Sequence, residues 1–452
     1  MSQPAMREIL SEAQRRTAEH PFAVLVWVDE AGYPMHRPGP FEVEEDGIRL
    51  RISDEPLPPD GAPVAVILSR IRPRPQGGYE GRRYWTFHGS AHRRADGVAV
   101  RPHRVSGWRE DERPFLALCE GAVPQAQRYF AFLSRIHGRP IRPRLPLAGL
   151  LLRATRAPFL TATVIPVLLG AAVAFYEGSF SLPWLVLTLA AAALVHLGLN
   201  VCNDIFDALS GADAVNPSPT PFSGGSRVIQ YGLLGIREMA LLCAALYGGG
   251  ALLGLLIVIF RAGVPLLVLG ASGLLLSIAY TAPPLRLAYR GLGELAVALG
   301  FGPLMTIGAY MVQTGRIGWS PLIASVPVAL LIALVLYVNE VPDRAGDAAA
   351  GKRTLAVRLS GRWLARIYGI GVAAAYLFVG IAVILRWMPP WALAVGVTLP
   401  MAVSVGRSLA RFAEQPYALI PAMATQIRLH LYAGLLLAAS YLVSRWLGPG
   451  GS

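Results

Sequence analysis

Two short polar segments interrupt long apolar runs, and both carry residues suited to holding a charged phosphate ester. The first, NVCNDIFDALSGAD, runs from Asn200 to Asp213; the second, NEVPDRAGD, runs from Asn339 to Asp347. Residues three or four apart share a helix face, so Asn200, Asn203 and Asp207 align on one helix, and Asn339, Asp343 and Asp347 on another. Each segment is followed by a basic, glycine-containing stretch, PFSGGSR ending at Arg227 and AAGKRT containing Lys352 and Arg353. The recurrence reads as an internal pseudo-repeat with two half-sites facing each other.

These residue types belong together in one chemistry. A diphosphate carries several negative charges, and Mg²⁺ prefers carboxylate, amide and phosphate oxygens while keeping some of its water. Carboxylate stripes can hold metal ions against the diphosphate, and Arg and Lys can neutralise the charge that grows as its C–O bond breaks. Single acids at helix ends are ordinary caps, but ionisable groups repeated at two membrane boundaries are costly unless they function. Asp204 and Glu340 sit one position off the stripes, where capping or supporting roles fit as well as metal contact. GDAAAGKR, from Gly346 to Arg353, resembles a P-loop but has Arg353 where a hydroxyl should meet Mg²⁺ and follows no strand, which argues against nucleotide hydrolysis.

The elements that must position these residues are membrane helices. Of 452 residues, 54% are hydrophobic and only 15% charged, which is not the balance of an ordinary soluble chain. The apolar excess begins after about Arg144, in stretches long enough to cross a ~30 Å hydrocarbon core. The pattern predicts about nine spans, near 157–175, 182–203, 239–260, 264–280, 293–313, 320–338, 366–386, 389–406 and 429–446. Basic residues crowd the loops on one side, among them Arg227, Arg237, Arg286, Arg290, Arg344, Lys352 and Arg353, which predicts a cytoplasmic location for that side and for the N-terminal region. Topology thereby explains much of the net charge of +13, and no basic patch resembles a nucleic-acid module. No secretory leader is expected at the N-terminus. Cys119, Cys202 and Cys243 are scattered, with no paired spacing, and receive no chemistry.

The expected fold is a multi-pass all-α membrane domain, residues 148–452, behind a soluble β-barrel domain, residues 1–111, with a helical and basic linker at 112–147. Within the first region, PFAVLVWV, GIRLRIS, PVAVILS and RRYWTFHGSAHRR alternate apolar and polar residues between turn signals such as DEAGYP and EDG. This pattern resembles the FMN-binding split barrel of the pyridoxamine-phosphate-oxidase-like group, carried by Asp29, Gly32, Pro34, Arg37 and Pro38. FMN is therefore one expectation for this domain and a regulatory or docking barrel another. Arg49, Arg51 and Ser53 fit a phosphate site or the exposed side of a strand equally well.

The polar segments resemble those of the UbiA-type membrane prenyltransferases, within which the branch that prenylates 1,4-dihydroxy-2-naphthoate in menaquinone synthesis is most similar. The matching stretches are RATRAPFLTATVIPVLLGAAVA, NDIFDALSGAD with PFSGGSRVIQ, YTAPPLRLAYRGLGELAVALGFGP and NEVPDRAGDAAAGKRTLAVRLS. The resemblance implies a ring of nine helices open sideways to lipid, and an Mg²⁺-dependent transfer of a polyprenyl group from its diphosphate to an aromatic acceptor. It implies Mg²⁺–diphosphate sites at Asn203, Asp207 and Asp213 and at Asn339, Asp343 and Asp347, with Asn200, Arg227, Lys352 and Arg353 binding substrate. Tyr280 matches a tyrosine near the reacting carbon, where its ring faces a carbocation or anchors the interface. Glu294 positions the acceptor or complements a helix N-terminus; Arg153 and Arg156 reach the diphosphate or serve topology. Arg286, in PPLRL, resembles branches that act on hydroxybenzoates, chlorophyllides or haem, so another acceptor stays open. The remaining alternatives are a transporter and a membrane-anchored flavin-dependent reductase. Tail length and oligomeric state are not legible.

Overall fold

The computed structural model describes residues 3–17, 19–20, 22–75 and 79–447. The chain divides into two compact units, Met1–Ile141 and Arg142–Ser452.

Among the described residues, the first unit begins with a helix, α1 (Gln3–Thr17), followed by seven strands: β1 (Ala23–Val28), β2 (Pro34–Gly39), β3 (Phe41–Val43), β4 (Ile48–Arg51), β5 (Pro63–Pro73), β6 (Tyr79–Arg94) and β7 (Gly97–Arg109). All pairings are antiparallel, in the order β2-β1-β5-β6-β7-β4-β3. Alternation sends Leu25, Trp27, Leu50, Val66, Leu68, Phe87 and Val100 inward, where Leu10 and Ala13 of α1 complete the core. The ladder does not close: β2 and β3 are its two ends, although Pro40 alone separates them in the chain. Helix α2 (Phe115–Ile136) falls in the segment expected to be a linker. It packs on the β1–β2 turn, with Leu133 buried, the Tyr129 hydroxyl donating to the Gly32 carbonyl, and His137 Nε2 2.8 Å from the Ala31 carbonyl.

In the second unit, nine helices among the described residues are long and apolar enough to cross a membrane: α3 (Ala157–Tyr176), α4 (Leu182–Ser210), α5 (Ile236–Arg261), α6 (Gly263–Thr281), α7 (Gly293–Thr314), α8 (Trp319–Ala349), α9 (Gly361–Ile384), α10 (Pro390–Phe412) and α11 (Pro416–Leu447). Ile165, Leu169, Val173, Tyr310, Leu331, Tyr337, Tyr368 and Leu437 form one large core among α3 and α7–α11. By contrast α5 and α6 turn Leu252, Ile259, Val264, Val268 and Leu275 outward. Such an apolar exterior is stable against hydrocarbon rather than water.

Helix length positions the site. About 20 residues cross the hydrocarbon core, whereas α4 has 29 and α8 has 31. Their last turns, which carry Asn203–Asp207 and Asn339–Asp347, therefore project past it. Helix α7 contains a π-helical turn at Gly300–Leu304, which buries Phe301.

Candidate active site

The two polar stripes line one cavity. Asn200, Asn203 and Asp207 from α4, and Asn339, Glu340, Asp343 and Asp347 from α8, face a space of about 160 Å³ together with Asp213, Asn216, Ser223, Arg156, Tyr280 and Lys352. Lys352 joins the half-sites: its Nζ is 3.6 Å from Asp207 Oδ2 and 3.7 Å from Asp347 Oδ1. Burial works against the lysine's charge, but Asp207 and Asp347 more than offset it and hold its pKa well above the usual range. The Tyr289 ring lies 5.3 Å from the same ammonium, and its hydroxyl donates to Asp207 Oδ1 at 2.6 Å. Asn203 Nδ2 donates to Asp207 Oδ2 at 3.1 Å.

The loop between α4 and α5 folds over the cavity and is fastened to the far stripe. Asp343 accepts from Asn216 Nδ2 at 2.8 Å, Ser223 Oγ at 2.9 Å and the Gly224 amide at 2.8 Å. Asp204 accepts from the Ser226 amide at 3.0 Å, a loop-fastening contact, while Glu340 lines the cavity itself. Gly225, at φ +72°, lies between two acids: a Cβ there would stand 3.0 Å from Asp213 Oδ2 and 3.1 Å from Asp204 Oδ1. Burial, then Asp207 and Asp204, push the Asp213 carboxyl up to about 8, although Gln230 Nε2 donates to it at 3.0 Å.

Several other expected residues, Arg227, Arg353, Arg286 and Glu294, lie outside this lining. Arg227 adopts φ 63° and donates to the Asp213 carbonyl. The exposed Arg353 pairs its amide with the Tyr289 carbonyl at 3.0 Å. Arg286 is exposed, with its guanidinium 5.5 Å from the Tyr289 ring. Glu294 is half-buried, and its Oε1 has no hydrogen-bond partner. Asn200 reaches the cavity with its amide donated to the Thr155 carbonyl at 2.9 Å. Of the two arginines before α3, Arg156 lines the cavity, and Arg153 donates to the Ser226 carbonyl at 2.9 Å. Asn216, Ser223, Tyr289 and His196 were not singled out from sequence. His196 alone had a signal there, since it precedes Asn200 by four residues and extends the same stripe.

A second, apolar cavity of about 350 Å³ lies among α4, α5, α6 and α7, lined by residues such as Val195, Leu255, Leu267, Leu274 and Leu304. It shares Tyr280 with the polar cavity, so the two adjoin. The pair suits an amphiphile with a polyanionic head and a long apolar tail.

Among the described residues, no three carboxylates, imidazoles or thiols converge to hold a metal ion alone. The donor set nevertheless fits Mg²⁺ arriving with a diphosphate. Mg²⁺ is commonly bound by one or two carboxylates plus substrate phosphates, and Asn339 Oδ1 is a buried acceptor with no donor.

Residues 163–420 match the UbiA prenyltransferase family. The 2-carboxy-1,4-naphthoquinone phytyltransferase of Synechocystis sp. is 30% identical over 66% of this chain and 94% of its own length. The 1,4-dihydroxy-2-naphthoate octaprenyltransferase of Bacillus subtilis is 26% identical over the same shares. Among solved structures, a UbiA homolog from Aeropyrum pernix K1 aligns with a TM-score of 0.46 at 17% identity, over 62% of this chain and 97% of that one. The chain belongs to the UbiA prenyltransferase family.

Proposed function

We propose that the second unit transfers a polyprenyl group from its diphosphate to 1,4-dihydroxy-2-naphthoate, releasing diphosphate and CO₂. The observation that carries this reading is the junction of a polar cavity, bridged by Lys352 between two Asp stripes, with a larger apolar cavity. The acceptor follows from the naphthoate-type relatives, which this chain matches over nearly their whole length. Exposure of Arg286 outside the cavity gives no support to a different acceptor.

Mg²⁺ bound with the diphosphate by oxygens of Asn203, Asp207, Asp213, Asn339, Asp343 and Asp347 would neutralise part of the leaving group's charge. Lys352 and Arg156 supply fixed positive charge to the same oxygens, strongest as the C1–O bond breaks. Arg227 and Arg353 hold the backbone segments that carry Asp213 and Lys352. Tyr280, at the meeting of the two cavities, turns an aromatic face toward the allylic carbon. Asn216 and Ser223 hold the covering loop against Asp343, which limits water and favours capture of the cation by the acceptor carbon. Glu294 orients the acceptor side. Basic loops support a cytoplasmic location for this face and for the first unit.

For the first unit we infer a sheet curled into a barrel. Pro40 joins the strands at the two ends of the order, so one segment, 34–43, pairs with β1 through one half and β4 through the other. Nothing favours FMN there. Arg49 pairs with Asp96 at 2.5 Å and Glu44 at 3.3 Å, Arg51 pairs with Glu42 at 2.5 Å, and Ser53 Oγ is 3.4 Å from Asp54.

The test supplies the purified full chain with Mg²⁺, radiolabelled prenyl diphosphate and naphthoate, hydroxybenzoate or homogentisate acceptors separately. Lipophilic product with the naphthoate is expected. No product with any acceptor would overturn the reading, and product with hydroxybenzoate alone would overturn the choice of acceptor.

A further inference from the structure

The two cavities share five lining residues: His196, Leu199, Tyr280, Val297 and Phe301. A prenyl diphosphate with its head in the polar cavity and its tail in the apolar one places C1 at this junction. The attacking ring carbon must come to the same point. Only two of the five side chains carry a polar atom, Tyr280 and His196.

A ring hydroxyl that activates its neighbouring carbon must shed its proton as the new bond forms. The carboxylates of the polar cavity, Asp207, Asp213, Glu340, Asp343 and Asp347, are poorly placed for that task, since none of them lines the junction. A neutral tyrosine is a weak base. The imidazole is the remaining candidate, and it is held for the work. His196 lies one helical turn before Asn200 on the Asn200–Asn203–Asp207 face of α4, on the hydrocarbon side of the stripe. Its Nδ1 is 2.8 Å from Thr163 Oγ1 of α3, and its ring meets Phe301 of α7 edge-on at 4.6 Å between centroids. Contacts from two other helices thus fix the ring, and Nδ1 is committed, which leaves Nε2 for a ligand.

We propose that His196 is a catalytic residue of the transfer, accepting the acceptor's ring-hydroxyl proton at Nε2 while Thr163 holds Nδ1–H; this rests on the aromatic prenyltransferase reading above. The C1–O bond breaks with its electron pair going to diphosphate, the ring carbon bonds to C1, and the hydroxyl proton passes to Nε2. The resulting ring ketone regains aromaticity when the carboxylate carbon leaves as CO₂, its bonding pair returning to the ring. The oxygen then takes its proton back from the imidazolium, so His196 is regenerated.

The test uses the full chain in lipid nanodiscs with Mg²⁺, geranylgeranyl diphosphate and 1,4-dihydroxy-2-naphthoate, comparing wild type, H196A, H196Q and T163V. H196A is expected to lose about 10²- to 10⁴-fold in kcat while binding prenyl diphosphate normally. Added imidazole should restore its rate without affecting wild type, and T163V should show a smaller loss. If H196A fails to bind prenyl diphosphate, H196Q takes its place, with the same loss of kcat expected. H196A or H196Q turning over at the wild-type rate would overturn this proposal alone, as would a loss that imidazole leaves untouched in a well-folded H196A. A wild-type chain that transfers to no aromatic acceptor would overturn both this proposal and the reading beneath it.

Discussion

Lys352 Nζ lies 3.6 Å from Asp207 Oδ2, a pairing across two helical half-sites that are far apart in sequence. With Asp347 3.7 Å from the same ammonium, the lysine keeps the two stripes from repelling each other before substrate arrives. K352M leaves Asp207 and Asp347 without that cation and removes a fixed charge from the diphosphate. A fall of roughly 10²- to 10³-fold in kcat/KM for prenyl diphosphate is expected, comparable to losing one preorganised electrostatic donor. Steady-state kinetics at saturating Mg²⁺ would check it; K352R should recover little, because a planar guanidinium cannot sit as a point charge between two acids.

The covering loop depends on Asp343. In D343N an amide hydrogen must face a donor that the carboxylate accepted, so at least one charge-assisted bond is lost, worth about 1.5–3 kcal/mol. The loop should open more often, and trypsin should cut after Arg227 roughly tenfold or more faster than in wild type. Cleavage at an unchanged rate would show that Asp343 does not hold the loop.

Gly346 of α8 faces Asn216, whose Cα would lie 2.8 Å from a Cβ placed there. Alanine normally improves a helix by about 1 kcal/mol over glycine, yet here the added carbon strikes backbone of the covering loop. G346A is therefore expected to leave thermal stability near wild type while lowering prenyl transfer at least about tenfold, read by paired melting and product assays.

Gly270 lines the apolar cavity, with open space where a side chain would begin. G270L should shorten the room for the tail. KM should rise for long polyprenyl diphosphates and stay unchanged for geranyl diphosphate, a difference measurable with one acceptor and a series of chain lengths.

The spacing of Asn200, Asn203 and Asp207, and of Asn339, Asp343 and Asp347, made both stripes legible because helical periodicity alone decides which residues share a face. The nine spans were legible because the hydrocarbon sets their length. Loop residues followed no such rule. Arg227 and Arg286 resemble Lys352 in sequence, yet both lie outside the cavity lining. Tyr289, Asn216 and Ser223 reach the acids through connections whose course depends on packing, and no period announces them. His196 was legible in principle, since it continues the stripe by one turn, but a lone histidine inside an apolar run reads as part of the span. In the first unit, alternation revealed the strands and missed how α2 would fold back on the turn between the first two.

The excess length of α4 and α8, 29 and 31 residues, has a mechanical meaning. Both helices are longer than the hydrocarbon is thick, so the height of the two polar stripes relative to the lipid tails depends on how the bilayer matches them. A thicker bilayer would draw Asn203 and Asn339 into hydrocarbon and a thinner one would expose the junction to water, each at a fraction of a kcal/mol per ångström of mismatch. The lipid around the protein thereby becomes part of the setting of the polar stripes.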